Sequence, residues 1–273
     1  MELPLDSVIV ETPGTDPVWE RIHAEARALY DAEPYMRTLI GDVVLSKQSL
    51  EESICVRLSR KFGRFAGTEN DLFETFQEAF ALDPNIGIRV RADIEAIFDR
   101  DPACIDYLSP LLFFKGFQAL TAYRISHFLW NQERHHLAHY FQSLIAEVFN
   151  VDIHPAACFG KGILLDHATS FVAGETAVVG DDVSILHEVT LGGTGKEGGD
   201  RHPKIDTGVL LSSGSKVLGN IHVGAFSKVG ANSVVLKDVP PHVTVAGVPA
   251  KIIKRHSGSS CPATAMIQSL DDE

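Results

Sequence analysis

The chain has 273 residues, 45% of them hydrophobic and 22% charged, enough for one large or two moderate domains with a sizeable core. A formal net charge of −12 excludes a general nucleic-acid binder, which needs a basic face for phosphates. Cys55, Cys104, Cys158 and Cys261 form no C-x-x-C pair, and residues 1–13 lack the basic start and apolar core of a signal peptide, so the cytoplasm is the expected compartment.

Residues 1–15 read as a flexible N-terminus, followed by an all-α helical domain over 16–149. Asp16-Pro17 supplies a cap and a first-turn proline, and Val18, Trp19, Ile22, Ala26, Leu29 and Tyr30 share one helical face. Further helices are predicted at roughly 34–46, 48–62, 70–82 and 85–99, separated by Gly63, Gly67 and the Asp83-Pro84 break. Phe98-Asp99-Arg100-Asp101-Pro102 gathers charge at a helix end before a proline and reads as helix termination. The run 111–130 is apolar nearly all round although it carries Lys115 and Arg124, which predicts one buried central helix and no membrane span. Leu137, Tyr140, Phe141, Leu144 and Val148 mark a last helix. His135 and His139 on it have the i, i+4 spacing of a metal pair, but no acidic or sulfur ligand lies nearby in sequence. A solvated face is the expectation there, and no metal is assigned.

Over 150–255 the period changes to six. Ile153, Phe159, Leu165, Phe171, Ala177, Val183 and Val189, then Ile205, Leu211, Val217, Val223, Val229 and Val235, recur as the apolar position of short strands joined by tight turns. Three hexads make a triangular coil of about 18 residues, so these thirteen predict a parallel β-helix of a little over four coils. Between Val189 and Ile205 the spacing is 16, one hexad plus ten extra residues, and the Gly-rich polar stretch 195–204 is expected to protrude as a functional loop. Asp152, His154, Asp166 and His167 gather polar groups in the first coils. Asp152 and His167 stand 15 apart, close to one coil, a spacing that suits a carboxylate orienting a histidine base. Three histidines at a subunit interface of such a helix can also hold zinc, but His154, His167, His187 and His202 fall irregularly and supply no evident ligand set.

Several stretches carry a resemblance. Val151-Asp152-Ile153-His154-Pro155-Ala156-Ala157, Leu165-Asp166-His167-Ala168-Thr169, Gly174-Glu175-Thr176-Ala177, Val189-Thr190-Leu191-Gly192-Gly193-Thr194-Gly195-Lys196 and Gly198-Gly199-Asp200-Arg201-His202-Pro203-Lys204 closely resemble serine O-acetyltransferase, a member of the hexapeptide-repeat acyltransferases. The likeness extends over about 17–251 and includes Asp101-Pro102 and 112–130. It implies a helical domain followed by a left-handed parallel β-helix, and acetyl transfer from acetyl-CoA to the L-serine hydroxyl, the committed step toward cysteine. Acetyl-CoA would be a co-substrate, with no permanently bound cofactor. His167 matches the family's general base and Asp152 its orienting carboxylate. Arg201 and His202 match the residues that hold the serine carboxylate, and Asp101 and Asp166 those that receive its ammonium. Gly193, Ser213 and Ala231 match backbone along the pantetheine, and Lys228 a polar contact to CoA.

The family's trimers, joined into a dimer of trimers, and inhibition by L-cysteine at the serine site are likewise implied. Ser170, and the run Leu211-Ser212-Ser213-Gly214-Ser215, depart from the family's Gly/Ala-rich pattern near the pantetheine. Residues 256–273 read as a flexible tail whose acidic end lacks the terminal isoleucine used for docking into cysteine synthase, so that complex is not expected. Two other readings stand beside this one: a prism acyltransferase with another hydroxyl acceptor, and a non-catalytic scaffold that has kept the fold.

Overall fold

The computed structural model describes residues 16–65, 68–195, 198–256 and 261–270. The expected flexible N-terminus at 1–15, and parts of the loop and tail, lie outside them. Four of the early helices start where a short polar side chain satisfies an otherwise orphaned amide. Asp16 accepts from Trp19 N–H ahead of α1 (Pro17–Ala32), and the helix expected at roughly 34–46 follows as a continuous helical stretch over 34–45, tight at its start, wide at its end, with α2 (Arg37–Ile40) in the middle. Ser49 caps α3 (Leu50–Phe62), Thr68 caps α4 (Glu69–Leu82), and Asp83 caps α5 (Pro84–Arg100). The apolar stretch expected as one central helix is two, α6 (Leu108–Leu112) and α7 (Lys115–Asn131), with Phe114 extended between them. The carbonyls freed at the break are taken up from elsewhere: Arg57 donates to Leu112 O at 2.6 Å and Gln118 to Leu111 O at 2.8 Å. Finally α8 (His135–Phe149) ends at Asn150, whose φ of 56° turns the chain into the prism.

The prism is a parallel β-solenoid with three walls. The first holds Val151–Ile153, Phe171–Ala173, Thr190–Gly192, Lys216–Leu218 and Val234–Val235, so there are five layers where a little over four coils were expected. The third wall runs from Leu164–Leu165 to Val243–Gly247 and is closed by the antiparallel strand Ala250–Arg255.

Strand register corrects the repeat. Leu164 pairs with Ser184, 20 residues on, whereas Val172 pairs with Thr190, 18 on. Two extra residues therefore sit in the turn between Leu165 and Phe171, the turn that carries His167. Val178 pairs with Lys204, 26 on, so the protruding loop adds eight residues rather than ten. The slip is hidden in the sequence because two positions per hexad face inward. Phe171, Ala177, Val183 and Val189 are buried, but so are Ala173, Val179, Ile185 and Leu191, which hold the pairing position.

A dense junction fixes the helices to the prism. Asp93 and Arg124 are both buried and 2.7 Å apart, and each also binds prism backbone: Arg124 donates to Gly160 O, and Ile163 N–H donates to Asp93. Arg100 donates to Gly162 O and to Asp182. At Gly116 a Cβ would stand 1.9 Å from Leu165 O, so only glycine lets α7 approach the first coil this closely. Part of the segment expected as a free tail is also seated on the molecule. Its short helix α9 (Pro262–Ala265) accepts from Ser184 Oγ through Ala263 O, and Ser269 O accepts from Lys228.

Candidate active site

The junction leaves a cleft of about 300 Å³ between the end of α5, the start of α7 and the first coil. Asp101, Lys115, Asp166 and His167 line it. Asp101 is there because it caps the C-terminus of α5, and its carboxylate accepts from Ala103 N–H. Arg100, one residue earlier, clamps that helix end to the prism.

His167 is there because of the two-residue expansion of its turn. His167, Ala168 and Ser170 all have positive φ, at 54°, 59° and 59°, each in the left-handed region that costs a non-glycine residue on the order of 1–3 kcal/mol. The surroundings hold the turn in place: Lys115 Nζ donates to Thr169 Oγ1 at 2.6 Å, Ser170 N–H to Asn150 O, and Glu188 N–H to Thr169 O. The imidazole stays largely open to solvent, 3.6 Å from the Asp166 carboxylate. Burial pushes the Asp166 carboxyl above the usual carboxylate range; His167 opposes the shift and neighbouring Asp101 adds to it. The serine at position 170, a departure noted in the sequence, bears one of these positive φ angles and accepts from Asn150 Nδ2.

A second cluster forms at the opposite edge of the first wall. Thr176 Oγ1 accepts from both Arg201 N–H and His202 N–H, leaving its own proton to donate to His202 Nδ1 at 2.9 Å. Thr176 N–H donates to the same nitrogen. Nδ1 is thus an acceptor and the ring proton is on Nε2. Burial chiefly, then the Arg201 charge, hold the His202 imidazole below its ordinary pKa and so neutral. Gly174 makes room for the ring, since a Cβ there would fall 2.0 Å from Nε2. The Arg201 fork is engaged by Glu175 at 2.6 Å and by Gly199 O at 3.1 Å, and Lys204 ties the base of the loop to Asp200 and Thr176 O.

Asp152 points outward from the middle of the first wall, between inward Val151 and Ile153, and accepts from Gln142 Nε2 on α8 at 2.7 Å. Among the described residues no hydrogen bond joins it to His167, so the expected dyad is not formed within one chain. Within one chain Asp152 stands on the first wall and His167 on the expanded turn that closes the same coil after the third wall. The expected solvated face is observed, with His135, His136 and His139 all exposed, and it carries ring contacts: His135 lies tilted against Trp130 at 4.2 Å, and His139 and His154 meet edge to face at 5.2 Å. Among the described residues no group of three metal-binding side chains occurs.

The residues expected along CoA divide. Strand pairing aligns Leu165, Ile185, Leu211 and Val229, so the positions two residues on, His167, His187, Ser213 and Ala231, stack as one column along the corner between the third and first walls. Gly193 stands at the other corner, beside Arg201. Lys228 is buried beneath the tail, its Nζ 2.6 Å from Ser269 O, and is not open to a ligand in this conformation. Sequence reasoning gives no role to Lys115, nor to Thr176 within its motif. Lys115 was noted only as an interruption of an apolar run, and a charge inside a buried helix was the available signal.

Residues 18–122 match the family model described as Serine acetyltransferase, N-terminal. The chain is 50% identical over 251 residues to a serine acetyltransferase of Salmonella typhimurium, covering 92% of each. Three solved serine acetyltransferases superpose on it. One in complex with cysteine has a TM-score of 0.91 at 46% identity and covers 93% of this chain and 98% of that one. A Brucella abortus enzyme in complex with coenzyme A has 0.86 at 48%, covering 89% and 97%. A Neisseria gonorrhoeae enzyme in complex with serine has 0.84 at 50%, covering 87% and 98%. The chain belongs to the serine acetyltransferase family, an acyltransferase family whose co-substrate is acetyl-CoA.

Proposed function

We propose that this chain acetylates L-serine, with His167 as general base. The observation that carries the reading is the cleft in which Asp101, Asp166 and His167 converge from two domains. His167 takes the serine hydroxyl proton as the oxygen attacks the thioester carbonyl; the tetrahedral intermediate then collapses, the C–S bond breaks, and the imidazolium returns the proton to the departing thiolate. The products are O-acetyl-L-serine and CoA. Asp101 and Asp166 receive the substrate ammonium. Arg201 and His202 hold its carboxylate, the arginine fork suiting a planar anion.

Because the two clusters occupy opposite edges of the first wall, we infer a site shared between copies in a trimer, or in a dimer of trimers. The loop and Asp152 of one copy then complete the cleft of the next, and Asp152 orients the neighbour's base. Ser213, Ala231 and Gly193 line the groove between prisms where pantetheine runs. L-cysteine, with the same ammonium and carboxylate as serine, competes for the site; the solved relative in complex with cysteine supports this.

The test is thiol release from acetyl-CoA with a panel of hydroxyl acceptors, on wild type and His167→Ala. Loss of a general base costs roughly 10²–10⁴-fold in rate. Serine-independent release, or a His167→Ala enzyme as fast as wild type, defeats the reading.

A further inference from the structure

His139 has no part in the mechanism above, yet its ring begins a relay of hydrogen bonds that ends on Asp152. His139 and Gln142 stand three apart on one face of α8, and His139 Nδ1 lies 3.0 Å from Gln142 Oε1. Gln142 Nε2 in turn donates to Asp152 Oδ1 at 2.7 Å. An ionised carboxylate can only accept. The glutamine must therefore turn its amide nitrogen to Asp152 and its carbonyl to His139, and His139 must carry a proton on Nδ1.

The relay is anchored at both ends. The His139 ring meets Trp130 edge-on at 5.3 Å and His154 at 5.2 Å, and His154 is itself fixed because its Nδ1 accepts from Ala156 N–H. At the other end, strand pairing with Val172 fixes the Asp152 backbone and leaves the plane of the carboxylate as the remaining freedom. Among the described residues Gln142 alone is hydrogen-bonded to that carboxylate, so its second oxygen is open. Resting on the reading above, in which Asp152 orients the base of a neighbouring copy, the open oxygen is the one that meets the neighbour's imidazole. We propose that Gln142 is a positioning residue for the reaction: it sets the plane of the Asp152 carboxylate toward the next copy's base, and His139 sets which way Gln142 faces.

Gln142→Met keeps the length of the side chain and removes both hydrogen bonds. In serine-dependent thiol release it should lower kcat by on the order of 10-fold with the serine KM little changed, because a misaligned base slows proton transfer and leaves the substrate contacts intact. Added to Asp152→Ala it should cost nothing further, since the residue through which it acts is gone. His139→Phe keeps an aromatic ring against Trp130 but frees the amide to turn over, and should cost about twofold. A Gln142→Met enzyme with wild-type kcat, a change confined to the serine KM, or a loss that multiplies with that of Asp152→Ala overturns the proposal; a wild-type kcat in His139→Phe overturns the histidine's share of it.

Refolding of mixed variants gives a readout that a merely structural role would not move. Gln142→Met refolded with His167→Ala should exceed the average of the two, since the first supplies the base and the second an ordered Asp152; refolded with Asp152→Ala, whose lesion lies on the same edge, it should not. The reverse pattern overturns the relay. Crystals of wild type and Gln142→Met need no acceptor and so separate failure of this inference from failure of the serine reading. In the variant the Asp152 carboxylate should rotate out of its wild-type plane. A carboxylate that stays in place overturns the proposal even if serine proves not to be the acceptor.

Discussion

Thr176 sets how the loop presents Arg201 and His202, the groups proposed to hold the substrate carboxylate. One hydroxyl satisfies two loop amides and fixes the tautomer of His202, so Thr176→Val removes three polar contacts while keeping the shape. The serine KM should rise about tenfold, with the acetyl-CoA KM close to wild type, since roughly 1.4 kcal/mol of ordering at the carboxylate end is lost. An increase confined to the acetyl-CoA KM would show that the loop serves the other substrate. Asp166 makes a pH prediction. Its carboxyl is raised by burial and by Asp101, so it takes up a proton at higher pH than an ordinary aspartate and then loses the charge proposed to hold the substrate ammonium. The serine KM should therefore climb as pH falls through that raised value. Asp101→Asn, which removes the like charge, should move the climb to lower pH; an unmoved or upward-shifted profile would separate the two acids. His167, Asp166, Arg201 and His202 were legible in the sequence as a resemblance to known motifs. Thr176 lies in one of those motifs as well, but its role was not legible, because a threonine at a solenoid corner looks like any turn residue until the loop folds back on it.

Among the elements, the contact of α5 and α7 with the first coil decides whether a cleft exists at all. Asp93 and Arg124 form its centre, each buried and each bonded to prism backbone as well as to the other. Removing one partner leaves an uncompensated buried charge, so Asp93→Ala should cost about 3–5 kcal/mol in denaturant unfolding. It should also depress activity although no substrate is near it; a change below about 1 kcal/mol would mean the pair is incidental. The helices themselves were readable from periodicity and from the glycine and proline breaks between them, and their observed starts at Leu50, Glu69 and Pro84 follow from the capping side chains of Ser49, Thr68 and Asp83. The break between α6 and α7 was not readable, since Leu111, Leu112, Phe113 and Phe114 give a continuous apolar run, and the groups that satisfy the broken ends, Arg57 and Gln118, lie elsewhere in the chain. The expanded His167 turn escaped for a related reason. An insertion of two moves the chain from one inward apolar position to the other, so the six-residue rhythm continues unbroken while its phase changes.

For the whole molecule, the distance between the two clusters is the central fact. Asp101, Asp166 and His167 face one edge of the first wall and Arg201 and His202 the other, with Asp152 on the outer face between them. A rotationally symmetric ring brings one edge of each copy against the opposite edge of the next. That arrangement predicts complementation. His167→Ala lacks the proposed base and Arg201→Ala the proposed carboxylate fork, so each alone should be poor at low serine. If the two are unfolded and refolded together, random assortment gives about a quarter of the interfaces an intact base from one copy and an intact loop from its neighbour. Activity at low serine should then return to about a quarter of the wild-type value, well above the sum of the two variants refolded separately. If base and loop act within one chain, no assortment can restore both, and the mixture will show only the average of its parents.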